Sequence, residues 1–324
     1  MSWKPLLAKL SKGISMNVSW LLRAVLWSAL LLAGPIRSGY AHTISTENTL
    51  ARIKATNTIR LGYEEDAFPF SYIEAGHPAG YAIDICNEIV KSLKTELNSS
   101  DLQVKWVHSS TASQFVQLNA RDMDIMCTPA FYSADRHLLA EFSPPFFFAN
   151  IRFMARRSDN NFTFASLSGH SILVKSGTVY LRQLHQLSIA NGLNINVELD
   201  NNNKVAFDDI QNGKFAAQVA STVQLKALIA QSSHPEDFFI SEERLSSPVP
   251  AGLLFPLHDI ELKKFMDSAM RDLITSNTFT RIYKKWFLEP ISPQNLNLNQ
   301  PMSKELRILT SSKNKVIYDY EKAD

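Results

Sequence analysis

Apolar positions in the first half of the chain follow two alternating spacings. Short apolar runs predict strands at 59–63, 102–107 and 123–127, and residues 68–72 form a predicted loop. Apolar residues three or four positions apart predict helices after Gly80, near 113–120 and at 134–140, the last capped by Ser133. This alternation is typical of a mainly parallel sheet with helices on its faces.

A second series of the same kind begins after residue 169. The expected strands are 172–175, 195–199, 216–220 and 238–240, and the expected helices are 179–190, 205–212, 262–273 and 279–286. Residues 142–148 and 249–255 are predicted to be extended segments that cross between the two series. Two α/β units joined by such crossings predict two lobes, and a cleft between lobes is a common place for a small ligand.

The N-terminal 41 residues have the pattern of a cleaved secretory signal. A basic flank precedes an apolar run at 24–34, which is shorter than the about 20 residues that a membrane-spanning helix needs. Gly39-Tyr40-Ala41 predicts cleavage after Ala41, and translation starts at either Met1 or Met16. Export to the periplasm of a Gram-negative cell follows from this interpretation, with an uncleaved membrane anchor as the alternative.

Charge argues against a nucleic-acid-binding protein. The 324 residues carry a formal net charge of +2, but residues 1–46 hold five of the basic residues and none of the acidic ones. The remainder has 28 basic and 31 acidic residues, without the concentrated basic face that phosphate contacts require. No phosphate-binding glycine loop is present and the eight histidines are scattered, so we expect neither a metal nor another cofactor.

Cys86 and Cys127 are the two cysteines of the chain. An even number of cysteines in an exported protein favours a disulfide between them. The alternative is a pair of buried free thiols. A metal site is not expected, because no second cysteine or histidine lies at ligand spacing from either residue.

Several motifs occur in a characteristic order over nearly the whole mature chain. They are Phe68-Pro69-Phe70-Ser71-Tyr72 with Gly80-Tyr81-Ala82-Ile83-Asp84, Asp124-Ile125-Met126-Cys127 with Asp135-Arg136, Leu167-Ser168-Gly169 with Ser176-Gly177-Thr178, and Tyr283-Lys284-Lys285-Trp286 with Pro290-Ile291 and Asn297-Leu298-Asn299. Their order and spacing resemble the periplasmic solute-binding proteins of ABC importers, in the glutamate/aspartate-binding branch of the amino-acid family.

This resemblance implies an α/β, two-lobed type II periplasmic binding protein. Each lobe would be a mainly parallel sheet flanked by helices, and two hinge strands would join the lobes. We expect lobe 1 at 47–150 and 248–287, lobe 2 at 151–247, and a C-terminal extension at 288–324. The protein would be a monomer that closes on a small carboxylate-bearing solute and delivers it to an ABC permease in the inner membrane.

The resemblance also assigns roles to several residues. Arg136 matches the arginine that grips the solute's α-carboxylate with its planar fork. Phe70 and Tyr72 match aromatic positions beside the cleft. Ser176, Gly177 and Thr178 lie between a predicted strand and a predicted helix, where free amides and the Thr hydroxyl would form a carboxylate site. The alternatives are a surface arginine paired with an acidic neighbour, an ordinary turn, and aromatic residues of the core.

Departures from the branch change the expected solute. Glu64 and Gln114 stand where that branch has arginines that bind an acidic side chain. Pro129 and Phe131 stand where that branch has hydroxyl residues. Ser221 replaces the acidic contact to the α-ammonium group, and Asn203 replaces a histidine. We therefore expect a solute other than glutamate or aspartate. Glu64 would bind an ammonium group and favour a basic or neutral solute, unless it is a solvated loop carboxylate.

Two other functions remain open on the same fold. One is a ligand sensor that signals through a membrane protein. The other is an enzyme that resembles cyclohexadienyl dehydratases, for which Glu64 is the obvious acid in the cleft. We expect a binding protein rather than an enzyme.

Overall fold

The computed structural model describes residues 48–292 and 295–311. The predicted signal segment 1–41 and the end of the C-terminal extension lie outside the described residues. The strands are β1 (Thr58–Tyr63), β2 (Asp66–Ala67), β3 (Ser71–Glu74), β4 (His77–Ala79), β5 (Gln103–His108), β6 (Ile125–Phe131), β7 (Glu141–Phe142), β8 (Phe147–Ala149), β9 (Ile151–Arg156), β10 (Ser171–Lys175), β11 (Asn196–Asp200), β12 (Ala217–Ser221), β13 (Phe238–Ile240) and β14 (Val249–Phe255). The helices are α1 (Thr49–Thr56), α2 (Tyr81–Glu96), α3 (Gln114–Asn119), α4 (Ala134–His137), α5 (Tyr180–Ala190), α6 (Asn203–Gln211), α7 (Thr222–Ala230), α8 (Ile260–Ile274), α9 (Asn277–Phe287) and α10 (Lys304–Ser311).

The strands form two main sheets with the same design. The first has the order β5-β1-β6-β14-β7, with β8 also paired to β14, and the second has the order β11-β10-β12-β9-β13. In the first sheet β5, β1 and β6 are parallel, and β14 runs antiparallel to β6. In the second sheet β11, β10 and β12 are parallel, and β9 runs antiparallel to β12. The expected two-lobed α/β fold is confirmed.

The chain passes between the sheets where an antiparallel strand of one sheet is followed by an antiparallel strand of the other. Strand β8 belongs to the first sheet and β9 to the second, with Asn150 between them. Strand β13 returns to β14 through residues 241–248. We call the two parts built on these sheets the first lobe and the second lobe. We propose 47–150 with 248–287, and 151–247, as their boundaries.

The predicted disulfide is present. Cys86 on α2 is bonded to Cys127 on β6, and both side chains are fully buried. The apolar residues of helix α2, which have the predicted spacing, face the sheet. Ile85 and Ile89, one turn apart, are therefore also inaccessible to solvent. Helix α2 follows Gly80, whose φ is +134°, and a Cβ there would lie 2.3 Å from the carbonyl oxygen of Phe70. Only glycine fits this approach of α2 to the loop before β3.

Several local predictions were wrong. Residues 68–70 form a turn, as expected for the loop, but residues 71–72 of the expected loop belong to β3, which pairs with β2 and β4. Helix α4 ends at His137, and the Ser133 hydroxyl makes no capping hydrogen bond. The patterns above predict no helix at Thr222–Ala230, although Ser221 caps α7 by accepting a hydrogen bond from the amide of Gln224. Apolar residues follow one another on α7 instead of recurring at one face.

The C-terminal extension lies against both lobes. Leu298 and Leu306 are buried, and the Tyr283 hydroxyl donates to the carbonyl oxygen of Gln300 at 3.2 Å. From the second lobe, Lys226 on α7 donates to the carbonyl oxygen of Leu298 at 3.2 Å and to the Gln300 side chain at 3.1 Å. The extension is therefore a further connection between the lobes. Among the described residues, no helix combines the length and the apolar character needed to cross a membrane.

Candidate functional site

The two lobes meet where their parallel strands end. Glu64 directly follows β1 and Thr111 lies just beyond β5, both on the first lobe. Lys175 is the last residue of β10 on the second lobe. Ligands of open α/β sheets bind beyond the carboxyl ends of the strands, because loops from several strands converge there. The topology therefore places the candidate site between these two strand ends.

A cavity of about 30 Å³ lies between the lobes. This is space for about two water molecules, so an amino acid requires the lobes to separate or the side chains to move. The predicted site residues that line the cavity are Glu64, Phe70, Phe131, Arg136, Thr178 and Asn203. An adjoining groove of about 660 Å³ shares Asn203 and Gln224 with the cavity.

Arg136 is held in the cleft by the first lobe and reaches the second. It is 8% exposed, and its guanidinium group donates to the carbonyl oxygen of Phe131 at 3.0 Å and to that of Gly177. Its terminal carbon lies 5.6 Å from the centre of the Phe115 ring. Burial lowers the pKa of Arg136 to about 10, which leaves the side chain charged at neutral pH. A buried, planar cation of this kind suits a carboxylate. The alternative of a solvated surface arginine is wrong.

Glu64 is buried in the cavity wall and not solvated. The Thr111 hydroxyl donates to Glu64 Oε1 at 2.5 Å, and Lys175 Nζ lies 3.4 Å from Glu64 Oε2. The Glu64 and Lys175 side chains are 5% and 11% exposed. Gln114 also lines the cavity, and within the described residues no donor reaches its buried Oε1 atom. Glu64 and Gln114 thus present acceptor oxygens to the cleft, at positions for which the family resemblance implies arginines in the glutamate/aspartate-binding branch.

The Ser176-Gly177-Thr178 turn packs directly on the first lobe. The Thr178 hydroxyl donates to the carbonyl oxygen of Lys175 at 2.7 Å, so it is engaged within the turn. The Ser176 amide donates to the carbonyl oxygen of Asp200 at 2.7 Å. Gly177 has a φ of +74°, and its carbonyl accepts the hydrogen bond from Arg136. Of the three residues, Thr178 lines the cavity.

Aromatic rings close two sides of the cleft. Phe131 of the first lobe lies 5.7 Å from Tyr180 of the second lobe, measured between ring centres. Phe70 lines the cavity but also packs on Phe147 at 5.0 Å, within the buried core. Tyr72 lines the adjoining groove and not the cavity.

Asn203 connects the two lobes, whereas Ser221 contacts a residue of its own lobe. The Asn203 amide donates to Asp66 Oδ2 at 2.7 Å, and its side-chain nitrogen donates to the Asp66 carbonyl oxygen at 2.6 Å. Burial raises the pKa of the Asp66 carboxyl group, against the opposing effects of the Asn203 hydrogen bond and of Lys175. The Ser221 hydroxyl lies 2.8 Å from Gln224 Oε1. Ser221 itself does not line the cavity.

Sequence analysis missed several residues that line the cavity. They include Thr111, Lys175, Tyr180 and Gln224. Lys175 had a usable signal, because it ends a predicted strand directly before the turn already chosen as a site. Gln224 had none, because the helix that carries it was not predicted. Within residues 48–292 and 295–311, no cluster of three or more acidic, histidine or cysteine side chains is placed to hold a metal ion.

Comparison with known proteins decides the family. The family model described as bacterial extracellular solute-binding proteins, family 3, matches residues 59–289. The chain belongs to this family. Family 3 therefore covers both lobes, and the segments beyond residue 289 and before residue 59 lie outside the match.

Two relatives are similar to this chain in sequence, and a solved structure is similar to it in fold. The chain is 30% identical over 288 residues to the L-glutamate/L-aspartate-binding protein of Pseudomonas aeruginosa, which covers 88% of this chain and 93% of the relative. It is 28% identical over 294 residues to the glutamate/aspartate import solute-binding protein of Salmonella typhimurium, covering 89% and 97%. The solute receptor for L-cysteine of Neisseria gonorrhoeae has a similar structure, with a TM-score of 0.66 at 18% identity, over 79% of this chain and 99% of the receptor.

Proposed function

We propose that this protein is the extracytoplasmic solute-binding component of an ABC importer. It binds an amino acid or a related small carboxylate in the cleft when the lobes close around their hinge. Closure on the solute stabilises the state that an inner-membrane permease recognises. The relatives named above come from Gram-negative bacteria, and the basic N-terminal pattern supports export to the periplasm. We propose that the protein acts there as a monomer.

The observation that carries this proposal is the position of Arg136. Its side chain is buried between the lobes and bridges them through two carbonyl oxygens. A carboxylate replaces these neutral acceptors with a charged one and can accept two parallel hydrogen bonds from the guanidinium fork. Such a solute joins the lobes more strongly than the carbonyl contact does, which is the requirement for a clamp that closes on its ligand.

Acceptor oxygens opposite Arg136 support an amino acid in particular. Glu64 supplies a buried carboxylate, and Gln114 supplies an amide oxygen with no donor among the described residues. An α-ammonium group satisfies both acceptors, since it carries three donors and a positive charge. We infer that Arg136 binds the carboxylate group and that Glu64 and Gln114 bind the ammonium group. Binding needs no covalent step, so we propose no catalytic role for Glu64.

The solute differs from that of the glutamate/aspartate-binding relatives in how its side chain is held. Neither Glu64 nor Gln114 can supply the guanidinium contacts that the branch resemblance implies for an acidic side chain. Pro129 and Phe131 lack hydroxyl donors and fill part of the cavity wall. We therefore propose a specificity distinct from these relatives.

The test is binding of the twenty amino acids and small carboxylates to the mature protein, residues 42–324, by thermal shift and calorimetry. Arg136→Lys keeps the charge but removes the planar fork, and we expect at least about tenfold weaker binding, equivalent to about 1.4 kcal/mol. The matched control is Arg182→Lys, because Arg182 is a half-exposed arginine paired with Asp135 at 2.9 Å. Equal loss in both variants, or no loss in Arg136→Lys, would show that Arg136 does not bind the solute.

A further inference from the structure

One ion pair crosses the cleft at the centre of the candidate site. Lys175 comes from the end of β10 on the second lobe, and Glu64 comes from the end of β1 on the first. Their charged atoms are 3.4 Å apart, and both side chains line the cavity. Glu64 would also bind the α-ammonium group under the proposed function, so Lys175 already uses the part of its acceptor capacity that a second cationic group of a solute would need.

Lys175 also faces other acidic groups. Its positive charge acts on Asp66 of the first lobe and on Asp200 at the end of β11. The Asp66 carboxylate accepts a hydrogen bond from the amide of Asn203, at the start of α6. The Asp200 carboxylate accepts one from the Asn202 amide at 2.9 Å. Without Lys175, this end of the cleft would present three carboxylates. Carboxylates gathered at a partly buried site attract cations strongly, because their own repulsion is relieved.

We propose that Lys175 is a specificity-determining residue, an internal cation that occupies the cationic subsite at Glu64 and excludes solutes with a basic side chain. The inference rests on the proposed function, since it concerns the same cleft. Glu64 alone would favour a basic or a neutral solute, and the inference excludes the basic ones. Arg136 and Lys175 together outnumber Glu64 among the charged residues that line the cavity, so a second positive charge on the solute is disfavoured.

Displacing Lys175 is unfavourable for two reasons. Lys175 is attached to the lobe that closes, so closure itself returns the ammonium group to Glu64, and a tethered group acts at a high effective concentration. A basic side chain that displaces Lys175 from Glu64 also leaves the Lys175 ammonium group without its partner, in a site that is mostly shielded from water. An α-ammonium group meets less resistance, because Gln114 Oε1 accepts from it as well.

The experiment measures binding of L-lysine and L-arginine by calorimetry to four forms of the mature protein. These are the wild type, Lys175→Met, Lys175→Arg, and Lys175→Met combined with Glu64→Gln. We expect Lys175→Met to bind at least one of the two at least about tenfold more tightly than the wild type. Lys175→Arg keeps the internal cation, so we expect it to bind lysine and arginine no more tightly than the wild type does. Adding Glu64→Gln to Lys175→Met removes the gain for lysine and arginine relative to a neutral amino acid measured with the same variants, because the acceptor charge is lost.

Each result separates the inference from the proposed function. If the wild type binds lysine or arginine as tightly as Lys175→Met does, or if folded Lys175→Met gains no basic solute while another amino acid binds the wild type, the inference is wrong and the proposed function stands. If neither an amino acid nor a small carboxylate binds any form, the proposed function is wrong, and the inference that rests on it is wrong as well.

Folding of the variants is checked by circular dichroism and by the intact disulfide. A second measurement tests the pair without a solute. The changes in the free energy of unfolding for Lys175→Met and Glu64→Gln are compared with that of the double variant. Additive changes would show that the two side chains are not coupled and would also overturn the inference.

Discussion

Gly177→Ala should hinder closure of the cleft. A Cβ atom at residue 177 would lie 3.0 Å from the carbonyl oxygen of Thr111 and 3.1 Å from Ala112 Cα. Both contacts are to backbone of the opposite lobe, which cannot rotate away as a side chain would. The lobes must therefore move apart by a few tenths of an ångström at the place where Arg136 bonds to the Gly177 carbonyl.

The size of the effect follows from what this shift weakens. Losing one hydrogen bond between the lobes removes about 1 kcal/mol from the closed state, which lowers the ratio of closed to open protein about fivefold. Alanine also strains the backbone, because φ at this position is +74°. Gly169→Ala is the matched control, since its φ is +84° and its Cβ would meet nothing within 4 Å. Strain of about 1–2 kcal/mol is common to both variants, and only Gly177→Ala adds the contact with the first lobe.

The assay is the distance between spin labels on the two lobes. Lys91→Cys on α2 and Ile189→Cys on α5 provide attachment points, since their side chains are 70% and 82% exposed. We expect Gly169→Ala to keep the wild-type distance distribution and Gly177→Ala to shift it toward the open form. Urea unfolding should show a similar loss of stability for both. Identical distance distributions in the two variants would refute the reasoning.

Two further changes test the interior of the lobes. Replacing Cys86 and Cys127 together by alanine should lower the free energy of unfolding in urea by about 4 kcal/mol, because the bond closes a loop of 41-residue separation; a loss below about 1 kcal/mol would contradict this. Burial raises the pKa of Asp66, so the folded protein holds this proton more tightly and stability declines as pH rises from about 4 through the raised pKa. Asp66→Asn should flatten this decline, measured by urea unfolding between about pH 4 and 7, and an unchanged pH dependence would show that Asp66 does not cause it.

Much of the fold could be predicted because its cues are local. The strands of the two main sheets have apolar runs. In α2 and α9 the regular apolar spacing of the sequence corresponds to the buried residues of the helix. Helix α7 escaped prediction because Val223, Leu225 and Ala227 are buried in a segment that is apolar on most sides. The start of β3 was predicted to be part of the loop at 68–72, because proline and aromatic residues in that segment mask the short strand.

Prediction of the site depended on a different kind of signal. Arg136 was found because it sits within a family motif, and the structure places it in the cavity. Thr111 lies in no such motif. Its hydroxyl belongs to the site because it donates to Glu64, 47 positions earlier in the chain. Phe70 shows the limit of aromatic positions as a guide, since the ring serves both the cavity wall and the core.

Specificity in a closing cleft depends on which residues of the two lobes meet. Glu64 and Lys175 are separated by 111 positions, and neither residue alone indicates the charge that the cleft presents to a solute. Taken alone, Glu64 favours a cation, but the Lys175 ammonium group reverses that preference once the second lobe is in place. Similarity at about 30% identity to a glutamate/aspartate-binding relative shows the family. It does not fix which charges meet at these strand ends, so the solute has to be inferred from the pair and not from the name of a relative.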